Sequence, residues 1–449
     1  MQKVLNVLKV PFAWAEKHKK IFDAICAVLL AYIPIFQHYH APIESVSSWV
    51  LAAMVPYLML RVLPKLPQLR GEQLSLIFVL LLFFLYKLIN HGTRFFEIMQ
   101  VGLFAGFLVA AALYCIDTEM LTKFATCVAC AASICIIIQY VCYYLLGFHL
   151  QMVPLSMLSP NTSQWFSAVK TGVVGITGSI GSLYRPSAFF LEPSHLFLYS
   201  FPLLFINLFD TKNGIAAKIA AVMISVALIL CTSGMGIAVC AGAWVAFLAL
   251  YDEKSNSFAI SNLFRKRNLV VFCGLLIVFA AAIIFVPFIR ASVLRIFVKN
   301  AAGSTAISGR TSVALRIISR MKPYQWVIGV SDTTAGLGTN MPGFMATLYK
   351  YGAVGVVLSY EYYVKGLFKL DVGYFWFAAV LLVVSFFSTH THGGFFMLYY
   401  ILLLMHGYKT STGEWISQLK TFAADIFKWI KTLFYRTTEK QTDQGDQNV

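Results

Sequence analysis

Long apolar runs alternate with short polar connections along most of the chain, which is typical of a polytopic membrane protein. A span across the hydrocarbon core needs roughly 20 mostly apolar residues. Twelve runs approach this length, at 21–36, 49–64, 73–89, 98–116, 125–147, 195–209, 215–231, 235–251, 268–288, 343–359, 371–388 and 394–408. The pattern predicts an all-α polytopic membrane protein with about 12 transmembrane helices, forming a single integral membrane domain over residues 1–449.

One apolar stretch, 215–251, is too long for a single crossing. As one helix it would extend about 55 Å, at about 1.5 Å per residue. Thr232, Ser233 and Gly234 interrupt this stretch, so we expect a tight turn between two spans. Four spans then separate a first long loop, 148–194, from a second, 289–342. Both loops are therefore predicted on the same side of the membrane.

Basic residues in the short connections predict which side this is, because Lys and Arg collect on the cytoplasmic side. The basic residues that one topology makes cytoplasmic are Lys17, Lys19, Lys20, Arg61, Lys65, Arg70, Lys212, Lys218, Lys254, Arg265, Lys266, Arg267, Lys365 and Lys369. Both termini then lie inside, and both long loops lie on the outer face.

The C-terminal segment has a pattern of its own. Apolar residues recur at helical spacing over 409–436, with lysines between them. This predicts a cytoplasmic amphipathic helix on anionic membrane lipid, and a partner-binding helix is the alternative. Residues 437–449 are polar and are predicted to be disordered.

Composition agrees with the membrane class. The chain is 59% hydrophobic and 12% charged, with a mean hydropathy of +0.75, whereas soluble domains carry about 25% charged residues. The net charge of +16 does not indicate nucleic acid, because no soluble basic domain is present. The nine cysteines fall in or at the ends of apolar runs, so no disulfide framework is predicted.

The first long loop ends in a charged and aromatic segment that runs from Arg185 through Glu192 to His195. Pro193 suits the first turn of the next span, whose free N–H groups and positive dipole end favour an anion. An Arg185–Glu192 ion pair that holds the loop together is the structural alternative. His38, near the outer end of the first span, is interpreted as an interfacial residue.

The second long loop carries a basic cluster, with Asp332 as the acid nearby. Its basic residues are Arg290, Arg295, Lys299, Arg310, Arg316, Arg320 and Lys322. We expect short amphipathic helices here, beginning at Arg310 and ending at Lys322-Pro323. One face would hold Ser312, Arg316, Ser319 and Arg320, and the other Val313, Ile317 and Met321. Arg grips phosphate through a bidentate fork, so this face predicts an anionic ligand; plain headgroup binding is the alternative.

Neither a metal nor a cofactor is predicted. His390 and His392 form an isolated H-x-H without evident further ligands, which is a weak signal for a metal site. Neither long loop carries a pair of carboxylates of the kind that binds divalent cations. The glycine-rich stretch 336–342 is predicted to act as a lid over a ligand.

Three motifs together resemble a known family. The run from Arg185 to Ser194 is similar to the R-x-x-x-x-F-x-E-P-S signature of O-antigen and capsular polysaccharide polymerases. Ser308-Gly309-Arg310 with 326–330 resembles an outer loop of the wider O-antigen ligase-like superfamily, and Asn340 with 351–355 resembles the start of a late span there. Ligases usually have His before this Asn. Thr339 stands there in this chain, which favours the polymerase branch.

The resemblance implies about twelve helices with an active site on the outer face of the bacterial inner membrane, towards the periplasm or exterior. It implies a donor carried on undecaprenyl diphosphate and a metal-independent glycosyl transfer onto a second lipid-linked chain. A chain-length regulator and a flippase would be protein partners. The alternatives are an O-antigen ligase of the same superfamily and a flippase for lipid-linked oligosaccharides.

For such a donor, fixed arginines would stabilise the charge on the departing diphosphate. Arg310, Arg316 and Arg320 are the first candidates for this role, followed by Arg185, and Asn340 is expected in the same substrate site. The acceptor hydroxyl must lose its proton as it attacks. Glu192 is the first candidate base, with His195 and Asp332 after it, and direct displacement would invert the anomeric centre.

Overall fold

The computed structural model describes residues 13–41, 44–68, 71–91, 95–154, 157–158, 173–175, 182–210, 214–252, 257–258, 266–287, 289–290, 308–330, 341–388 and 394–410. Of these described residues, 81% are helical. The first helices are α1 (Lys19–Phe36), α2 (Val46–Val62), α3 (Gly71–His91), α4 (Phe95–Ala112) and α5 (Thr118–Tyr144). The next are α6 (Pro193–Leu208), α7 (Gly214–Leu230), α8 (Gly234–Val245) and α9 (Lys266–Phe285). The last are two short helices, α10 (Ser308–Ile318) and α11 (Pro323–Ile328), and then α12 (Gly343–Lys365), α13 (Val372–Ser385) and α14 (Gly394–Thr410).

The remaining regular structure is short. Helices of 3₁₀ type cover Leu63–Gln68 and Leu367–Lys369, and a π turn, Ala246–Leu250, continues α8. The antiparallel strands are β1 (Val173–Gly175) with β2 (Ser182–Tyr184), and β3 (Tyr251–Asp252) with β4 (Ser257–Phe258). The predicted helix at 409–436, apart from its first two residues, and the tail at 437–449 lie outside the described residues.

The apolar runs correspond to helices. Within the described residues, each of the twelve predicted runs overlaps one of α1–α9 or α12–α14. Three helical stretches are long and apolar enough to cross a membrane: Val46–Pro67, Thr118–Tyr144 and Asn268–Phe285. Shorter apolar helices cover Ile77–Asn90, Ile98–Ala112, Gly214–Leu230, Gly234–Leu250 and Val372–Ser385. These helices indicate a membrane-embedded protein, and the number of twelve spans stays a prediction.

Helix α6 lies at the centre of the fold. Every residue from His195 to Leu208 is buried, as expected for a helix that is apolar on all sides. Helices α5, α7, α8 and α13 pack around it. The Tyr199 hydroxyl donates to the Ala31 carbonyl of α1 at 2.9 Å, and the Tyr400 hydroxyl of α14 donates to the Leu198 carbonyl at 3.0 Å.

One basic residue is not on the surface. Arg61, counted above among the cytoplasmic residues, is only 3% exposed and pairs with Asp23 of α1, Nη1 to Oδ1, at 3.3 Å. The Tyr57 hydroxyl donates to the same Asp23 oxygen at 2.7 Å. Because Arg61 is neutralised within the fold, the predicted orientation depends on the other basic residues.

The predicted break after α7 is confirmed. Helix α7 ends at Leu230, and Thr232 turns the chain with a positive φ of 52°. Ser233 then caps α8, because its side chain accepts a hydrogen bond from the Gly236 N–H. A serine N-cap satisfies one of the free N–H groups of the first turn.

The described part of the second loop, residues 308–330, contains two short helices as predicted, but the buried face of the first one differs. Ala314, Ile318 and Met321 are buried against α12, whereas Val313 is 52% exposed. The spacing i, i+4, i+7 defines this stripe. The sequence pattern predicted Val313, Ile317 and Met321 for the apolar face, so Met321 is correct and the first two positions are displaced by one residue. Lys322-Pro323 also does not end α10. The proline is the first residue of α11, where its missing N–H costs nothing.

Two glycines from the motifs described above let the backbones of α11 and α12 come into direct contact. Gly329, after α11, has φ 86°, and Gly352, inside α12, has φ 64° and kinks that helix. A Cβ on Gly352 would overlap the Val327 carbonyl, and one on Gly329 would overlap the Lys350 carbonyl. Hydrogen bonds from α3 support this contact, since Tyr86 and Asn90 both donate to the Ile328 carbonyl at 2.8 Å.

We expect Gly352→Ala to lower the midpoint of thermal unfolding of the purified protein in detergent. A side chain at this φ is strained by about 1–3 kcal/mol, and its Cβ would push α11 away from α12. Gly274→Ala is the control, because a Cβ there meets nothing within 4 Å and alanine favours a helix. Equal midpoints for the two variants would contradict the packing described.

Candidate functional site

A cavity of about 600 Å³ lies between α6, α8, α10 and α13. Its polar lining residues are Arg185, in the segment between β2 and α6, and five residues at or near helix ends: Ser194, Thr232, Ser233, Thr311 and Ser388. We call this group the polar end. The apolar lining runs along the bodies of α8, with its π turn, and α13, and includes Ala238, Gly242, Ala246, Trp376, Val380 and Val384. We call this part the apolar arm.

Three helix N-termini converge on the polar end. Ser194 is the second residue of α6, Gly234 is the first of α8, and Thr311 is the fourth of α10, and all three line the cavity. The first turn of a helix carries unpaired N–H groups and a partial positive charge. The arrangement therefore favours an anion, as single helix N-termini do in many phosphate sites.

Arg185 adds a full positive charge to this end. Among the described residues that line the cavity, it is the one with a formal charge, and no carboxylate is among them. Thr232 adds a donor. Its side chain is 3% exposed, and within the described part of the chain its hydroxyl has no hydrogen-bond partner. A buried hydroxyl is normally satisfied, so this group can donate to a ligand that fills the cavity.

A side chain of α5 forms the hydrogen bonds that hold the segment carrying Arg185. The Gln139 amide accepts a hydrogen bond from the Ala188 N–H at 2.9 Å and donates to the Leu150 carbonyl at 3.0 Å. Ala188 has a positive φ of 53°, so the chain turns sharply between Arg185 and α6. Gln139 thus fixes both ends of the first long loop to one helix.

Aromatic packing fixes the residue before Arg185. The Tyr184 ring stacks on Tyr143 of α5, with centroids 4.2 Å apart and an angle of 17°. Burial raises the pKa of Tyr184 to about 12, so its hydroxyl is neutral near pH 7. Arg185 therefore follows directly after a residue whose side chain is firmly packed and uncharged.

Glu192 does not line the cavity, but it contacts a serine hydroxyl that does. It is the N-cap residue of α6, in extended conformation with φ −141°, and its Oε2 accepts a hydrogen bond from Ser194 Oγ at 2.5 Å. Ser194 lines the cavity, and Glu192 is not among the lining residues. A proton released in the cavity can reach the carboxylate along this contact.

His195 does not line the cavity. It is 2% exposed and stacks on His38, with ring centroids 4.4 Å apart and an angle of 18°. Nothing in the sequence pairs these two residues, because His38 follows α1 and is far from His195 along the chain. The pair makes His195 a packed core residue of α6 and a weaker candidate for the base than Glu192.

The arginines of α10 do not line the cavity. Arg316 and Arg320 are exposed on its outer face, together with Ser312 and Ser319, and Thr311 is the α10 residue that reaches the polar end. Arg310 belongs to α10, and its side chain is not described. Asp332 and Asn340 lie outside the described residues. Arg185 therefore replaces the three arginines of α10 as the first candidate for binding an anionic ligand.

Several lining residues were not anticipated as site residues. The break at 232–234 was identified for its effect on topology, and its polar residues could have suggested a binding role as well. Thr311 and Ser388 carry no such signal, because each is an ordinary helix-end residue. Among the described residues, no group of three or more His, Cys, Asp and Glu side chains could hold a metal ion.

Comparisons with models of protein families, with curated proteins and with solved structures find no match for this chain. The family resemblance of its motifs therefore stays a prediction. The functional argument depends on the geometry of the cavity and on the chemistry of its lining.

We expect Gln139→Leu to destabilise the protein, because it leaves the Ala188 N–H and the Leu150 carbonyl without a partner. Each unsatisfied buried group costs about 1–3 kcal/mol, so the unfolding midpoint in detergent should fall clearly. Gln151→Leu is the matched control, because Gln151 is exposed and its amide donates to the nearby Val153 carbonyl at 3.3 Å, two residues along the chain. A Gln139 variant as stable as this control would show that the loop is held in another way.

Proposed function

We propose that this protein is a polysaccharide polymerase that joins oligosaccharide repeat units carried on undecaprenyl diphosphate at the outer face of the bacterial inner membrane. The observation that carries the proposal is the cavity, whose cationic polar end leads into an apolar arm. A diphosphate attached to a lipid has the same two parts in the same order. The motif resemblance at Arg185–Ser194 supports the same assignment.

The polar end would bind the donor diphosphate. Arg185 supplies a guanidinium that can form two hydrogen bonds to phosphate oxygens, and the Thr232 hydroxyl can add another. Each helix N-terminus contributes about 0.3–1 kcal/mol towards an anion, and more where it is partly buried. These groups are fixed before the donor arrives, so they stabilise the charge of the departing diphosphate without reorganising.

The proposed reaction is a direct displacement. The oxygen of an acceptor sugar hydroxyl attacks the anomeric carbon of the donor, and the bond from that carbon to the diphosphate oxygen breaks. The lipid diphosphate leaves with the electron pair, and the hydroxyl proton passes to the Glu192 carboxylate beside Ser194. Attack opposite to the leaving group inverts the anomeric centre.

Polymerisation brings two lipid diphosphates together, one on the donor and one on the acceptor. We assign the donor to Arg185 and the polar end. The exposed face of α10, with Arg316 and Arg320, suits the second diphosphate or its sugars. Because exposed charges are screened by solvent and salt, these two arginines should matter less than Arg185.

We expect Arg185→Ala to slow polymer formation by about 100-fold or more, the usual cost of removing a group that stabilises transition-state charge. Arg185→Lys should recover part of the rate, because it keeps the charge and loses the fork. The measurement is the polymer ladder made by purified protein from a defined lipid diphosphate oligosaccharide. Lys123→Ala is the control, because Lys123 forms an exposed pair with Glu119.

The result also separates the candidate functions. Arg316→Ala or Arg320→Ala slowing the reaction more than Arg185→Ala would contradict the assignment of the donor site. Transfer of a single unit without a ladder would favour the ligase. Movement of the lipid across a reconstituted bilayer, without transfer, would favour the flippase.

We expect Glu192→Gln to lower the rate by about 100-fold or more, since general-base catalysis contributes typically 10²–10⁴-fold. The amide keeps the size of the side chain and can still accept from Ser194, so binding of the lipid diphosphate should be unchanged. His195→Gln should reduce stability more than the rate of the folded fraction. A Glu192 variant with the full wild-type rate would exclude this residue as the base.

A further inference from the structure

The imidazole rings of His38 and His195 form a contact that the proposed reaction does not use. The rings stack with their centroids 4.4 Å apart and an angle of 18° between their planes. His195 is 2% exposed, and His38 is half-buried. The Phe396 ring of α14 lies 6.1 Å from the ring of His195, between centroids. The pair is therefore enclosed where the end of α1 meets the first turns of α6 and α14.

The segment that carries His38 is itself fixed to the rest of the fold. His38 follows directly after α1 and its C-cap residue. The hydroxyl of the next residue, Tyr39, donates to the Phe189 carbonyl at 3.4 Å. The His40 N–H donates to the Met157 carbonyl at 2.7 Å. Residues 38–40 thus connect α1 to two parts of the first long loop, and the histidine pair adds a connection to α6.

The first turn of α6 also carries the residues proposed for proton transfer. Glu192 caps this helix, and its carboxylate accepts a hydrogen bond from Ser194. The backbone N–H of His195 donates to the Glu192 carbonyl at 3.0 Å. Neighbouring residues of a helix with 3.6 residues per turn point about 100° apart, so Ser194 reaches the cavity while His195 reaches His38. A displacement of His195 would therefore move Glu192 and Ser194 as well.

The stacked geometry limits the charge that the pair can hold. Histidine side chains ordinarily gain a proton between pH 8 and pH 5. If both rings gained one, two positive charges would face each other with the ring centroids 4.4 Å apart. Like charges repel strongly in the interior of a protein, where the dielectric constant is low. The stacked arrangement is therefore stable with at most one proton, and acid favours separation of the rings.

We propose that the His38–His195 pair positions the first turn of α6 and makes the reaction sensitive to acid at the outer face of the membrane. While the pair holds at most one proton, Glu192 and Ser194 stay in place. A second proton separates the rings, displaces the first turn of α6 and slows proton transfer from the acceptor. The proposal rests on the function proposed above, because Glu192 is the base of that reaction. His38 acts through His195 and is a positioning residue.

Other titratable and charged groups stand on the elements that meet at the pair. Among the described residues they are Glu192 and Arg185 on the side of α6, His40 and Glu44 on the side of α1, and the tyrosines of these elements, which include Tyr39, Tyr199 and Tyr399. Tyrosine, arginine and glutamate ordinarily titrate outside the range from pH 5.5 to 7.5. The other imidazole in this set is that of His40, which is exposed and provides a control.

His38→Phe tests the proposal, because phenylalanine keeps a flat ring against His195 and takes up no proton. Polymer formation by the purified full chain is measured at pH 7.5 and pH 5.5. Wild type should lose about tenfold in rate, as expected one pH unit below the ordinary histidine pKa of about 6.5. His38→Phe should match wild type at pH 7.5 and keep most of its rate at pH 5.5. His40→Phe, the matched control, should show the wild-type loss.

The unfolding midpoint in detergent gives a second readout that does not depend on the reaction. The unfolded chain can protonate both imidazoles, whereas the stacked pair cannot, so the folded state loses stability as the pH falls. The midpoint of wild type should therefore drop further between pH 7.5 and pH 5.5 than that of His38→Phe. If His38→Phe does not fold, His195→Phe removes the other proton site of the same contact and is measured in its place.

The two readouts separate this proposal from the proposed function. A His38→Phe variant that loses its rate in acid as steeply as wild type overturns the role of the pair and leaves the polymerase intact. Midpoints of wild type and variant with the same dependence on pH overturn it as well. A midpoint that becomes less sensitive to acid in His38→Phe, in a protein that forms no polymer, supports the acid-sensitive pair and refutes the polymerase.

Discussion

The candidate site depends on one constraint, which is that positive charge is concentrated at the polar end of a mainly apolar cavity. Arg185 and three helix N-termini share this space, and no carboxylate is among the described residues that line it. Electrostatic interactions are strong where the dielectric constant is low. The arrangement therefore favours an anion at the polar end, where the fold already holds the groups that would contact it.

The surrounding fold holds these charges in position. Gln139 fixes both ends of the first long loop to α5, and the Tyr184 ring holds the residue next to Arg185 against the same helix. Gly329 and Gly352 let α11 and α12 meet at their backbones, and the buried stripe of α10 packs against α12. The motifs that resemble sugar polymerases thus have two different tasks. The first carries Arg185 of the candidate site, and the later glycines bring α11 and α12 together, with α10 packed against α12.

The sequence predicts the helices well, because apolar runs and the break at 232–234 follow from spacing and length alone. It predicts the importance of Arg185 and Glu192 because both are charged residues in an apolar chain. It fails at Arg61, whose partner Asp23 lies in another helix, and at Val313, where one residue of helical phase changes the buried face. The sequence also ranks Arg316 and Arg320 above Arg185 as ligand-binding residues. A cluster of basic residues can be recognised in a sequence, whereas the residues that line a cavity cannot.

The most direct test is an experimental structure of the protein with undecaprenyl diphosphate bound, determined in a lipid nanodisc. The account predicts diphosphate density within hydrogen-bond distance of the Arg185 guanidinium and the Thr232 hydroxyl, at the first turns of α6, α8 and α10, with the prenyl chain continuing between α8 and α13. Density for the diphosphate on the outer face of α10, at Arg316 and Arg320, with the cavity occupied by ordinary lipid, would contradict it.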